Sequence, residues 1–192
     1  MKKFRILINI DDVLNNLNER CTQVFNKTFG TELTADTFSD YDIFRCLPFE
    51  QATEYCRLWN DAETLESLTP IKNSQWGVKH FIDEGYDVYI ATATHADNFA
   101  LKVDWLHSLF PFIDDSHIIR CCDKSVLYAD VMIDDYAKNL ISNIHCERVL
   151  LNMPWNQNVH DEVYGIYRCN DWNEIVATVD DIYKNTKELM NA

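Results

Sequence analysis

The sequence predicts an α/β protein, a parallel sheet with helices on both faces and a small helical insertion after the first strand–helix unit. Three observations carry this. Short apolar runs alternate with amphipathic stretches along most of the chain, the rhythm of strands joined by crossover helices. The first run, Phe4 to Ile10, is almost continuously apolar, as suits a strand buried on both faces. Residues 31–70 interrupt the rhythm: they gather Phe38, Tyr41, Phe44, Phe49, Tyr55 and Trp59, contain no strand-like run, and end at Pro70.

Each element follows from local pattern. From Leu14 to Phe29, Leu14, Leu17, Cys21, Val24 and Phe25 recur at helical spacing, with Gly30 as the stop. Within 31–70, Pro48 can start a helix at Phe49. Trp76, Val78, Phe81 and Ile82 predict a helix closed by Gly85, followed by a strand over Tyr86–Ala91 and a helix over Phe99–Phe110. His117–Cys121 and Asp130–Ile133 read as short strands, Tyr136–Asn143 as a helix, Arg148–Leu151 as a strand and Val163–Tyr167 as an edge strand. Asp171 is placed to cap a last helix running towards Leu189. The domain division is a core of 1–30 and 71–192 with an insertion of 31–70.

Composition limits function. The 192 residues carry 17 Lys+Arg against 31 Asp+Glu, a net charge of −14, which argues against coating a nucleic acid polymer. A small phosphorylated ligand stays compatible, because a metal ion and one lysine reverse the field locally. No run approaches the length of a membrane span, so no membrane partner is expected. The opening MKKFRILINIDDV resembles a signal peptide only superficially: Arg5 and Asn9 interrupt the apolar stretch and no small-residue cleavage site follows. Seven cysteines, an odd number without a CxxC pair, point to reduced thiols and a cytoplasmic location.

Ligands of parallel sheets bind beyond the carboxyl ends of the strands. There the sequence places Asn9, Asp11 and Asp12, then Thr92 and Thr94, then Asp134 and Asp135, with Lys124 in the turn leading to the last pair. Carboxylate and carbonyl oxygens suit Mg²⁺, and a hydroxyl and an ammonium suit phosphate. Any one of these residues alone reads as a turn former, a helix cap or a solvated surface group. Their ordered combination is what points to a site. His95 follows Thr92 and Thr94 and either touches ligand or, the commoner case, stands in a solvent-exposed loop; His117, His145 and His160 lack metal-ligand spacing.

In this order the residues resemble the four motifs of the haloacid dehalogenase-like phosphatases: Ile8-Asn9-Ile10-Asp11-Asp12-Val13-Leu14, Ile90-Ala91-Thr92, Lys124, and Met132-Ile133-Asp134-Asp135. Asp123-Lys124-Ser125-Val126, Leu68-Thr69-Pro70-Ile71 and Met153-Pro154-Trp155-Asn156 resemble the 5'(3')-deoxyribonucleotidase branch. The resemblance implies a Rossmann-like core, a helical cap at 31–70, and Mg²⁺-dependent hydrolysis of a phosphomonoester, a nucleoside monophosphate in that branch, through an aspartyl-phosphate. It implies Asp11 as general acid/base, Thr92 and Lys124 as phosphate ligands, and Asn9, the Asp11 carbonyl and Asp134 around the metal, with Asp135 behind them. Of the aromatics in 31–70, Phe38, Tyr41, Phe44 and Trp59 are candidates to stack on a base, Tyr41, Phe44 and Trp59 foremost, or else to fill the small core between cap and body.

The chain departs from the pattern at the nucleophile position, where Asn9 replaces an aspartate. A carboxamide is neutral and a far weaker nucleophile. The readings are a substitution that traps bound substrate, a naturally inactive relative, or another nucleophile; the intact remainder of the constellation favours the first. Beside the nucleotidase reading stand a phosphatase for another small metabolite and a non-catalytic nucleotide- or phosphate-binding protein.

Overall fold

The computed structural model describes residues 3–191; Met1, Lys2 (part of the signal-like opening) and Ala192 lie outside the described residues. Six strands form one wholly parallel sheet in the order β3-β2-β1-β4-β5-β6. They are β1 (Arg5–Ile8), β2 (Asp87–Thr92), β3 (Ile118–Arg120), β4 (Val131–Asp134), β5 (Glu147–Leu151) and β6 (Ile166–Cys169). The longer helices are α1 (Leu17–Phe29), α2 (Phe49–Leu58), α4 (Ser74–Asp83), α5 (Phe99–Leu109) and α8 (Trp172–Asn191); the shorter ones are α3 (Ala62–Glu66), α6 (Ala137–Ser142) and α7 (Asp161–Tyr164).

Alternation along the strands explains the two apolar layers. Ile6, Ile8, Ile90, Val131, Ile133, Val149 and Leu151 join one cluster, with residues of α1, α4, α5 and α8. Their neighbours Leu7, Ala91, Met132 and Leu150 join the other, with Ala137 and Leu140 of α6. The central strands are therefore apolar on both sides, as their continuous runs predict.

The strand order reverses at β1, which pairs with β2 on one side and β4 on the other. A crevice opens where neighbouring strands send their connections to opposite faces. Asn9 extends the β1–β4 pairing by one bond, its N–H donating to the Ile133 carbonyl at 3.0 Å. The ends of these two strands are thus held side by side.

The segment 31–70 contains two 3-10 turns, Ala35–Thr37 and Ile43–Arg45, followed by α2 and α3. Pro48 stands immediately before α2, and Asp61 caps α3 by accepting from the Thr64 N–H at 2.8 Å. The segment lacks a strand, as its sequence predicts. Helix α1, which precedes the segment, packs on α2, α3 and the first 3-10 turn. The chain leaves the sheet layer at 14–16 and returns at 69–71, and these two stretches pair. Asn16 N–H donates to Thr69 O at 3.1 Å and Ile71 N–H to Leu14 O at 2.8 Å, with Asn15 bridged to Pro70.

The predicted strand over Val163–Tyr167 is corrected. Val163 and Tyr164 belong to α7, and the strand begins only at Ile166. Gly165 at φ 60° is the reason: a left-handed residue ends the helical turn and redirects the chain. Arg168 of β6 secures the turn by donating to both oxygens of Asp161, at 2.6 and 2.8 Å. The last helix begins as predicted, Asp171 accepting from the N–H groups of Asn173 and Glu174.

Helices α4 and α8 approach closely because Gly77 has no side chain. A Cβ there would lie 2.4 Å from Cε3 of Trp172, a ring fully buried and tied to the Val13 carbonyl by its indole N–H at 2.9 Å. The ring cannot yield without losing that bond. Gly77→Ala is therefore expected to destabilise the fold by about 1–3 kcal/mol despite the better helix propensity of alanine, read as a lower urea midpoint.

Candidate active site

Beyond the carboxyl ends of β1 and β4 lies a cavity of about 300 Å³. Its walls include Asn9, Asp11, Asp12, Lys102, Lys124, Asp135 and Asn139 from the sheet side, and Asp40, Tyr41 and Trp59 from 31–70. Ala93, Thr94 and His95 complete it beyond β2.

Lys124 is the hub. Its side chain is buried, and its ammonium donates to Asn9 Oδ1 at 2.8 Å and to Asp134 Oδ2 at 2.7 Å. The turn carrying it is built locally: Asp123 accepts from the N–H and hydroxyl of Ser125, and Asn143 donates to the carbonyls of Lys124 and Leu127. The Asn9 amide is oriented by partners of opposite kind. Its oxygen faces the ammonium, while its nitrogen donates to the Asp11 carbonyl at 2.8 Å and to Asp135 Oδ1 at 3.0 Å.

The adjacent acids divide their tasks. Asp134 is fully buried and its oxygens are committed: Oδ1 accepts from Tyr136 N–H, and Oδ2 from Lys124 and from Asn139 at 3.0 Å. Asp135 instead faces the cavity, where Oδ1 meets Asn9 and Oδ2 accepts the Trp155 indole N–H at 3.0 Å. The sequence reading put Asp134 at the metal and Asp135 behind it; in the structure the turn into α6 claims the Asp134 carboxylate, while Asp135 lines the cavity.

Asp11 presents both oxygens to neighbours. Oδ1 accepts from Asn15 Nδ2 at 3.1 Å, and Oδ2 forms an ion pair with Lys102 of α5. Asp12 stands at φ 55° and turns back, Oδ1 accepting from the Asn18 N–H at 2.8 Å, so it satisfies a donor of the first turn of α1. Burial, joined by the charge of Asp11, raises the Asp12 carboxyl to about 7. Burial also raises Asp135, with the charge of Asp134 adding to it. Burial, reinforced by Asp135, likewise raises the Tyr41 phenol.

The remaining expected residues divide. Thr92 ends β2 with its hydroxyl buried and without a partner, the one such side-chain atom among the described residues. Tyr41 and Trp59 face the cavity. Tyr41 also stacks on Tyr136, with centroids 3.6 Å apart and planes at 15°. Phe44, expected beside them, does not line the cavity; it is exposed and packs on Phe49, because its 3-10 turn directs it outward. Phe38 belongs to the core against Tyr55.

Sequence reasoning missed Lys102, Asn15 and Asn139 as site residues. A signal for Lys102 was present: it shares the buried stripe of α5 with Trp105 and Leu106, at i, i+3 and i+4. A lysine there requires an anionic partner.

The fold is that of the haloacid dehalogenase-like hydrolases. A family hydrolase of that class from Deinococcus radiodurans, solved with bound phosphate and sodium, superposes at a TM-score of 0.63 with 14% identity, covering 94% of this chain and 96% of that one. A haloacid dehalogenase-like hydrolase from Xanthomonas campestris superposes at 0.59 with 13% identity over 97% and 98%. The chain belongs to the family of 5' nucleotidase, deoxy (pyrimidine), cytosolic type C proteins, whose model matches residues 3–184. It is 33% identical over 117 residues to a 5'(3')-deoxyribonucleotidase of Bacillus subtilis, a match covering 60% of this chain and 64% of that protein. A 5'(3')-deoxyribonucleotidase of Clostridium acetobutylicum is 25% identical over 184 residues, 92% of this chain and 95% of that one.

The Lys124–Asp134 pair is buried on both sides, so removing one partner strands a charge. Lys124→Met is expected to cost about 3–5 kcal/mol in urea unfolding. The double variant Lys124→Met/Asp134→Leu should recover part of that loss.

Proposed function

We propose that the chain is a 5'-nucleotidase-type phosphomonoester hydrolase for (deoxy)nucleoside monophosphates, with Asn9 at the position of the attacking group. The observation that supports this best is the buried Lys124 ammonium fixed between Asn9 and Asp134, in a cavity also faced by Asp11. In this reading Lys124 holds the phosphoryl oxygens, with the hydroxyl of Thr92, unpartnered but fully buried and outside the cavity lining, as the second donor. Residues 31–70, together with α1, act as a cap that excludes water, with Tyr41 and Trp59 against the leaving group. No described helix is long and apolar enough to cross a membrane. All seven cysteines are free, which agrees with a cytoplasmic setting.

The donor set fits a hard cation such as Mg²⁺. The Asp11 carbonyl and Asp135 Oδ1 already converge on one point, now met by the Asn9 amide nitrogen, and the cavity walls carry more carboxylates than ammoniums. Asp135 and the Asp11 carbonyl would hold it, and the Asn9 amide oxygen would join them only by turning away from Lys124. Such a cation offsets phosphate charge.

With an aspartate at position 9, its carboxylate attacks phosphorus and the P–O ester bond breaks. The leaving alkoxide takes a proton from Asp11. Asp11 then takes a proton from water, whose oxygen attacks the aspartyl-phosphate, releasing phosphate and restoring the carboxylate. With Asn9 the first step lacks its nucleophile. The same amide favours one further reading, a nucleotide-binding protein without turnover.

Phosphate release from a panel of nucleoside monophosphates tests the proposal, with Mg²⁺ and with EDTA. The present chain is expected to show little turnover, and Asn9→Asp to gain about 10³-fold or more, with Mg²⁺ required. Equal rates would show that position 9 is not the attacking position. Thermal stabilisation of both proteins by nucleotides, without turnover in Asn9→Asp, would favour the binding reading.

A further inference from the structure

We infer that Lys102 and Asn15 are positioning residues for Asp11, a two-sided clamp that aims its carboxyl at the leaving-group oxygen; this rests on the nucleotidase reading of the site. Both oxygens of Asp11 are held, from opposite parts of the fold. Lys102 reaches Oδ2 from α5, with its side chain only 5% exposed. A lysine loses much rotamer freedom on burial, and here the Asp11 carboxylate compensates its charge.

Asn15 reaches Oδ1 from the crossing point between the sheet and the helices of 15–70. It is 1% exposed and uses both ends of its amide. Its nitrogen donates to Asp11, while its oxygen accepts from Asp12 N–H and Leu17 N–H, each at 3.2 Å. The same residue is bridged to Asp11 on one side and Pro70 on the other. Its amide is thus oriented by two main-chain donors, which leaves the nitrogen as the end that meets Asp11. The acid/base group is therefore referenced at once to the core through α5 and to the entry of the cap through Asn15. Neither residue is needed to bind phosphate, the task given to Lys124 and Thr92.

An acid aimed at a leaving oxygen matters when that oxygen departs as a basic alkoxide. It matters little when the oxygen departs as a stable phenolate. Two substrates therefore separate positioning from general damage: a nucleoside monophosphate and p-nitrophenyl phosphate. The test uses the full chain carrying Asn9→Asp, with Lys102→Met, Lys102→Arg and Asn15→Ala added singly.

Lys102→Met is expected to lower kcat/KM, which ends at release of the alcohol and so isolates the acid step, by about 10²-fold for the nucleotide and by less than about tenfold for p-nitrophenyl phosphate. The affinity for inorganic phosphate should stay within about twofold, a margin worth only about 0.4 kcal/mol. Lys102→Arg, which keeps the cation, should recover part of the loss. Asn15→Ala should show the same substrate contrast at smaller size. Thermal unfolding of each variant identifies any that fails to fold, and the inference is then decided by the other two. Equal loss of kcat/KM on both substrates, or an unchanged kcat/KM for the nucleotide, would overturn it. If Asn9→Asp hydrolyses neither substrate, the nucleotidase reading itself fails and the clamp with it; turnover with no substrate contrast refutes the clamp alone.

Discussion

One buried ammonium organises this site. Lys124 joins the end of β1, through Asn9, to the end of β4, through Asp134. A charge so deeply enclosed is tolerable only with a carboxylate and further polar partners around it. That requirement fixes Asp134, and Asp134 in turn takes donors from Tyr136 and Asn139, so the turn into α6 is set by the same pair. With Asp134 committed inward, its neighbour Asp135 is left to face the cavity. Two adjacent acids thus acquire different chemistry from one electrostatic constraint.

Asn9 sits at the focus of this arrangement and is matched to it. A neutral amide can accept from Lys124 and donate to Asp11 O and Asp135 simultaneously. An aspartate carboxylate has no hydrogen for either donation and would meet Asp135 as a like charge. Asparagine at this position therefore replaces a demand for positive charge with a closed set of hydrogen bonds.

Most of the fold was legible because it rests on short-range pattern. The apolar runs of β1, β4 and β5 could only be strands buried on two faces, and Gly30 and Asp171 mark helix limits by their own chemistry. Val163 and Tyr164 misled because β-prone residues were read as a strand across Gly165, whose left-handed backbone is the decisive feature. The strand-end residues were legible too, since a parallel sheet gathers such positions at one edge. Which of Asp134 and Asp135 faces outward was not, because it depends on tertiary donors. The direction of Phe44 and the partnership of Lys102 with Asp11, 91 positions apart, likewise depend on how helices meet. The packing of α1 on α2 and α3 was not legible for the same reason: an amphipathic helix declares that it has an apolar face, not what covers it.

The pairing of 14–16 with 69–71 has a consequence for how this chain can be built. Because the outgoing and returning stretches are hydrogen-bonded neighbours, everything between them is a loop whose ends already touch. Lengthening such a loop adds closure entropy only logarithmically, about 0.6 kcal/mol per doubling. The sheet register on either side is indifferent to what the loop contains. The stretch between can thus change in length at little cost, while the strand ends that carry Asn9, Asp134 and Asp135 stay where the sheet puts them.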